Sequence, residues 1–70
     1  MNRNDKVMIG QLIVGDRFCN IGQSVAWQII ATGTNKAFVN QIVNGKRLHL
    51  YDATKKNETE VIFLRNVNDK

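Results

Sequence analysis

Basic, aromatic and amide side chains alternate with apolar ones in residues 38–51, "FVNQIVNGKRLHLY", where they could form a binding surface. Cations neutralise phosphates, aromatic rings stack on bases, and amides hydrogen-bond to base edges. A protein interface uses the same mixture. In a bent strand, however, Phe38 and Ile42 would belong to the core and leave only an ordinary wet edge. The candidate contact residues are Phe38, Asn40, Lys46, Arg47, His49 and Tyr51.

The sequence offers little for metal binding or catalysis. Cys19 and His49 are the only conventional soft metal ligands, and a four-coordinate zinc site needs more of them. Asp52, Glu58 and Glu60 lie in a lysine-containing polar segment, which favours a solvated loop over a pair of catalytic carboxylates. The five glycines lack the spacing of a phosphate-binding loop. We therefore expect a binding protein that is not an enzyme, with no metal and no cofactor.

The apolar residues recur with period two in short runs, which predicts an all-β protein. An extended segment at 11–14 precedes the strands, and the polar stretch "DATKKNET" after residue 51 is predicted as a loop. Five short strands can hide an apolar face only by curling, so we expect a small five-stranded SH3-like barrel. The predicted strands are Arg17–Asn20, Val25–Thr32, Ala37–Val43, Lys46–Tyr51 and Glu60–Leu64.

Asn44-Gly45 is the clearest turn signal, because a type I′ hairpin turn needs positive φ at both central residues. The turn predicts three cross-strand pairs, which are Ile42 with Arg47, Asn40 with His49, and Phe38 with Tyr51.

The loop after Thr32 decides where Trp27 lies. With an odd-length loop, Trp27 and Ile29 join Val39 inside the protein. With an even-length loop, Trp27 lies on the face of Phe38, because a slip of one residue exchanges the faces. We expect the odd register, and the even register stays open.

Composition indicates one small domain. The 70 residues include 43% hydrophobic residues and carry a formal charge of +4, which favours anionic partners. The single cysteine excludes a disulfide framework and suggests reducing cytoplasm. No apolar run is long enough for a membrane helix, so no membrane association is expected. We predict a flexible segment at 1–9, the barrel at 10–65, a flexible tail at 66–70, and a monomer or weak homo-oligomer.

Three motifs, "LIVGDRF" at 12–18, "GQSVAW" at 22–27 and "NG" at 44–45, resemble short SH3-like barrels encoded by bacteriophages and mobile elements. The resemblance covers roughly residues 10–64 and includes a valine in the last strand, Val61. It implies that Gly15-Asp16 turns the chain and that Phe18 fills the barrel. Together with the basic residues of the predicted strand Lys46–Tyr51, the resemblance suggests a module that binds nucleic acid or nucleic-acid machinery. The alternative is a protein-interaction module, such as a phage-encoded inhibitor that binds an acidic surface of a host enzyme or defence complex.

The chain also resembles plasmid-borne type II dihydrofolate reductases through "GDR" at 15–17, "AWQ" at 26–28 and "LHLY" at 48–51. That resemblance would imply an enzyme, and it is the third hypothesis. The family's active-site strand has glutamine where this chain has His49, and its lysines after Gly-Asp-Arg are replaced by Cys19, Asn20 and Ile21. These departures remove the cofactor-phosphate charge and the amide that recognises the pterin.

Overall fold

The computed structural model describes residues 2–48 and 53–68, which form one antiparallel β-sheet. The prediction of an all-β protein is confirmed. The strand order is β1-β7-β2-β3-β4-β5, and β6 also pairs with β4. A 3-10 turn, Ile9–Gln11, follows β1. The strands are β1 Lys6–Met8, β2 Asp16–Asn20, β3 Ala26–Thr32, β4 Lys36–Val43, β5 Lys46–Arg47, β6 Ala53–Lys56 and β7 Glu60–Asn66.

The described residues thus contain seven strands where the sequence predicted five. β6 lies within the stretch that was predicted as a loop, and its two lysines explain why. Lysine is common on exposed edge strands, where it discourages pairing with other chains, so an edge strand has a polar, loop-like composition.

The sheet extends beyond both predicted limits of the domain. At the N-terminal side, Val7 of β1 pairs with Val61 of β7, and Val7 is buried. At the C-terminal side, β7 continues to Asn66, which is also buried. The segments 1–9 and 66–70 therefore both include residues that belong to the sheet.

The hairpin between β4 and β5 has the predicted turn. Asn44 and Gly45 have φ values of 53° and 76°, and Ile42 pairs with Arg47 as expected. The predicted pairing of Phe38 with Tyr51 is wrong, because Phe38 pairs with Thr54 of β6. A strand continuing from β5 in the same register would pair Phe38 with residue 51, but the observed partner lies three residues further along the chain. The register of pairing with β4 therefore changes between β5 and β6. His49 and its predicted pairing with Asn40 lie outside the described residues, as does Tyr51.

The hydrophobic core lies on one face of the sheet. Ile29 and Val39 are paired and fully buried, so their predicted place inside the protein is confirmed. The predicted odd-length loop is wrong, because the loop between the paired residues Thr32 and Ala37 has an even number of residues. A register shift between Ile29 and Ala31 brings Ile29 opposite Val39 instead. Trp27 is half-buried and packs against this core. The largest side chains buried to less than 2% exposure are Phe18, Ile9, Ile29, Val39 and Val61.

A hydrogen-bonded turn joins the start of β2 to the end of β7. Gly15 has a φ of 94°, which favours glycine. Asp16 Oδ2 accepts a hydrogen bond from the Ile13 N–H at 2.8 Å, and Asp16 Oδ1 accepts one from Asn66 Nδ2 at 2.7 Å. Both side chains are buried. Asp16 therefore acts as a structural acceptor in this turn.

Within the described part of the chain, no helix is long and apolar enough to cross a membrane.

Candidate nucleic-acid interface

The candidate interface is the outer face of the sheet, opposite the core. Successive side chains of a strand point to opposite faces. In β4, Ala37 and Val39 are buried in the core, which places Phe38, Asn40 and Ile42 on the outer face. The pairing predicted from the Asn44-Gly45 turn groups these same three residues on one face.

Two amides continue this face onto the neighbouring strands. Asn40 pairs with Gln28 of β3, and Gln28 pairs with Arg17 of β2. The Arg17 Nε donates a hydrogen bond to Gln28 Oε1 at 3.1 Å, which helps to fix the position of the guanidinium. Asn40 and Gln28 are only 4% and 7% exposed, and Asn40 Nδ2 donates to the Val39 carbonyl at 3.2 Å. The sequence predicts Asn40 as a contact residue, but its burial favours a role in holding the face together.

Cations of the same sign lie directly opposite one another at two places on the outer face. Arg17 pairs with Arg65 of β7 beside a β-bulge, where the extra residue Leu64 brings Arg65 to the outer face, and we call these two arginines the arginine pair. Lys36 of β4 pairs with Lys56 of β6, and we call these two the lysine pair. Directly opposed side chains have Cβ atoms about 5 Å apart, and like charges at that spacing destabilise a sheet. An anion bound between the two cations would remove that repulsion.

Phe38 lies on β4 between the lysine pair and the amides. Its ring is half-buried, and the Lys36 Nζ lies 5.3 Å from the ring centroid. Thr54 is its partner on β6. An aromatic ring and a cation are therefore adjacent at one end of the outer face.

An apolar row crosses the outer face next to the polar row formed by Arg17, Gln28 and Asn40. The members of this row are half-buried and pair in register from β7 to β4. Lys6 of β1 and Arg47 of β5 pair with its two ends. The apolar row consists of Ile62, Cys19, Ala26 and Ile42.

The two predicted basic residues of β5 lie on different faces. Arg47 pairs with Ile42 and is on the outer face, whereas Lys46 pairs with Val43 and is on the opposite face. Both are exposed. Arg47 is thus on the face of Phe38 as predicted. Lys46, although a candidate contact residue, lies on the opposite face, as the pairing across Asn44-Gly45 implies.

Sequence reasoning did not find the arginine pair or the lysine pair. Arg17 and Arg65 are far apart in the chain, and their pairing depends on how β2 lies beside β7. Lys36 and Lys56 are brought together by β6, which has a loop-like composition. Lys55 lies on the other face of β6, and its Nζ is 5.7 Å from the Trp27 ring centroid. No local pattern in the sequence could have predicted that Lys56 lies on the outer face and Lys55 on the other.

The described residues contain no group of three or more His, Cys, Asp or Glu side chains that could hold a metal ion. Comparison of the chain with protein-family models, curated proteins and solved structures found no match. The geometry of the outer face is therefore the basis for inferring a function.

Proposed function

We propose that this protein is a non-enzymatic, SH3-like β-barrel module of phage or mobile-element type that binds nucleic acid in the cytoplasm through its outer face. The observation that carries the proposal is the presence of two like-charge pairs on that face. The formal charge of +4 gives the whole chain the same preference for anions.

Contacts between turns support the barrel, although the sheet itself is not closed. The Gly10 N–H donates to the Asn57 carbonyl at 2.9 Å, and the Asn57 N–H donates to the Asn35 carbonyl at 3.0 Å. These bonds join the segment after β1 to the β6–β7 turn, and that turn to the β3–β4 turn. The body measures 26 × 25 × 24 Å, as a strongly curled sheet would.

The role that we assign to each pair is to bind phosphate. Before binding, each pair carries a repulsion that the fold has to tolerate. A phosphate between the two side chains converts that repulsion into two attractions and releases counterions from the nucleic acid. Phe38 supplies a ring for stacking on a base, and Arg47 adds a cation on the same face. His49 and Tyr51 remain hypotheses from the sequence, whereas Lys46 is left out of the proposed site because it lies on the opposite face.

Salt dependence tests the proposal directly. Labelled single-stranded and duplex oligonucleotides of mixed sequence are titrated with the protein over a series of salt concentrations. We expect the logarithm of the association constant to fall linearly with the logarithm of salt concentration. Arg65→Ala and Lys56→Ala should each lower the slope by about one, as expected for a lost phosphate contact.

Lys46→Ala is the matched control, because it removes the same charge from the opposite face. It should leave the slope nearly unchanged. Absence of binding at low salt would refute the proposal, and so would a binding slope that neither Arg65→Ala nor Lys56→Ala changes.

The second candidate is a protein-interaction module, such as a phage-encoded inhibitor of a host enzyme or defence complex. The half-buried apolar row favours it, because protein interfaces need an apolar centre with a polar rim. Exposed Ile21, Val25 and Val43 add apolar surface elsewhere. Such a complex would depend only weakly on salt, which separates it from the nucleic-acid proposal.

A further inference from the structure

The arginine pair and the lysine pair are separated both across and along the sheet. Arg17 is in register with Gln28 and Asn40, and Lys36 is four residues before Asn40 on β4. Between the centres of the pairs there are three strand spacings of about 4.8 Å and four residues of about 3.3 Å, or about 20 Å over the surface.

The described residues form a nearly spherical body of 26 × 25 × 24 Å. On a body about 25 Å across, a surface path of about 20 Å turns through about 90°. A short duplex is stiff, with a persistence length of about 150 base pairs, so a straight duplex that contacts one pair points away from the other. A single strand can bend around the body and reach both pairs.

Phe38 lies on the path between the two pairs, two residues from Lys36 on β4. Stacking on its ring requires an exposed base face, which a single strand offers and the interior of a duplex does not. The Lys36 Nζ lies over this ring, 5.3 Å from the centroid, so a base that stacks on the ring displaces the ammonium, which then lies within reach of the phosphate of the same nucleotide.

We infer that the outer face selects single-stranded over duplex nucleic acid and holds about four nucleotides between the arginine pair and the lysine pair, near the lower end of known single-strand site sizes. The inference rests on the proposed function and adds the class of nucleic acid and the length of the site. Because the contacts are with phosphates and ring faces, DNA and RNA single strands bind alike.

The test uses the full chain and fluorescence anisotropy at low salt. The probes are oligothymidylates and oligouridylates of about two, four and eight nucleotides, and a duplex that matches the longest probe. We expect affinity to rise more than about tenfold from the shortest probe to the middle one and only slightly beyond it, since the second pair is then engaged. The matched duplex should bind at least about tenfold more weakly than the longest single strand.

Two variants of Phe38 test the stacking contact. Phe38→Ala should weaken single-strand binding by about 5- to 150-fold, the range for loss of one stacked base, and should leave duplex binding unchanged. Phe38→Leu retains an apolar side chain and should weaken single-strand binding similarly. If Phe38→Leu melts at the wild-type temperature, its weaker binding is not caused by unfolding.

The inference and the proposed function fail in different ways. A duplex that binds as tightly as the single strand, with the same loss in Arg65→Ala, would overturn the inference and leave the proposed function standing. So would a strong preference between thymidylate and uridylate, or an affinity that rises steadily with length and shows no step. If none of the probes binds, both fail.

Discussion

Reversing the charge of Lys56 should make the protein more stable, although the substitution removes a proposed binding residue. In the native sheet, Lys56 is directly opposite Lys36. Lys56→Glu replaces this repulsion with an attraction between opposed side chains, which is the favourable arrangement across a pair of strands. A residue that served only the fold would not be expected to improve stability when its charge is reversed.

The expected gain follows from Coulomb's law. Two unit charges about 6 Å apart in water interact by about 0.7 kcal/mol, and physiological salt reduces this to about 0.3 kcal/mol. Reversing the charge removes a repulsion of about 0.3 kcal/mol and adds an attraction of the same size, so the two changes together give about 0.6 kcal/mol. Glu58 lines the same shallow groove and would repel the new carboxylate, so we expect a gain of about 0.5 kcal/mol. For a domain of this size that is about 2–4 °C in Tm.

Thermal melts of the wild type and Lys56→Glu at physiological salt, which serves as the low-salt condition, and at about 1 M salt measure the effect, and the gain should disappear at high salt. Lys46→Glu is the control, because it makes the same charge change opposite an apolar residue, Val43. A Lys56→Glu variant that melts at or below the wild-type temperature at low salt would refute the reasoning. An equal gain in Lys46→Glu would also refute it, since the effect would then come from net charge alone.

Three further substitutions test the fold. Trp27→Ala should cost about 3 kcal/mol in a urea melt, near the low end for a large aromatic side chain because Trp27 is half-buried; a near-wild-type midpoint would place its contacts outside the stabilising core. Asp16→Ala should cost about 2–3 kcal/mol, because it leaves the Ile13 N–H and Asn66 Nδ2 without their acceptor. Gly15→Ala should cost more than Gly22→Ala by at least about 1 kcal/mol. Both glycines have positive φ, but at residue 15 the new Cβ would lie 3.2 and 3.3 Å from the amide atoms of the buried, hydrogen-bonded Asn66, whereas residue 22 has open space around it. Equal melting temperatures of the two alanine variants would contradict that explanation.

The sequence by itself determined the properties that depend on neighbouring residues in the chain. Alternation of apolar and polar residues places Val39 on one face of β4 and Phe38 on the other, whatever lies beside the strand. Asn44-Gly45 determines a turn because its two residues tolerate positive φ. From these local signals the all-β class, the hairpin and the two faces of β4 could be predicted.

The tertiary structure decided which residues on those faces meet. The arginine pair joins residues 17 and 65, and the lysine pair exists because β6 lies on the edge of β4 in a register that differs from that of β5. Asn40 looks like an exposed amide in the sequence, but the packing around it leaves it 4% exposed. Side-chain alternation is a property of one strand, whereas register and burial depend on partners that are distant in the chain. The sequence therefore predicted the outer face, but only the folded sheet placed like charges opposite one another on it.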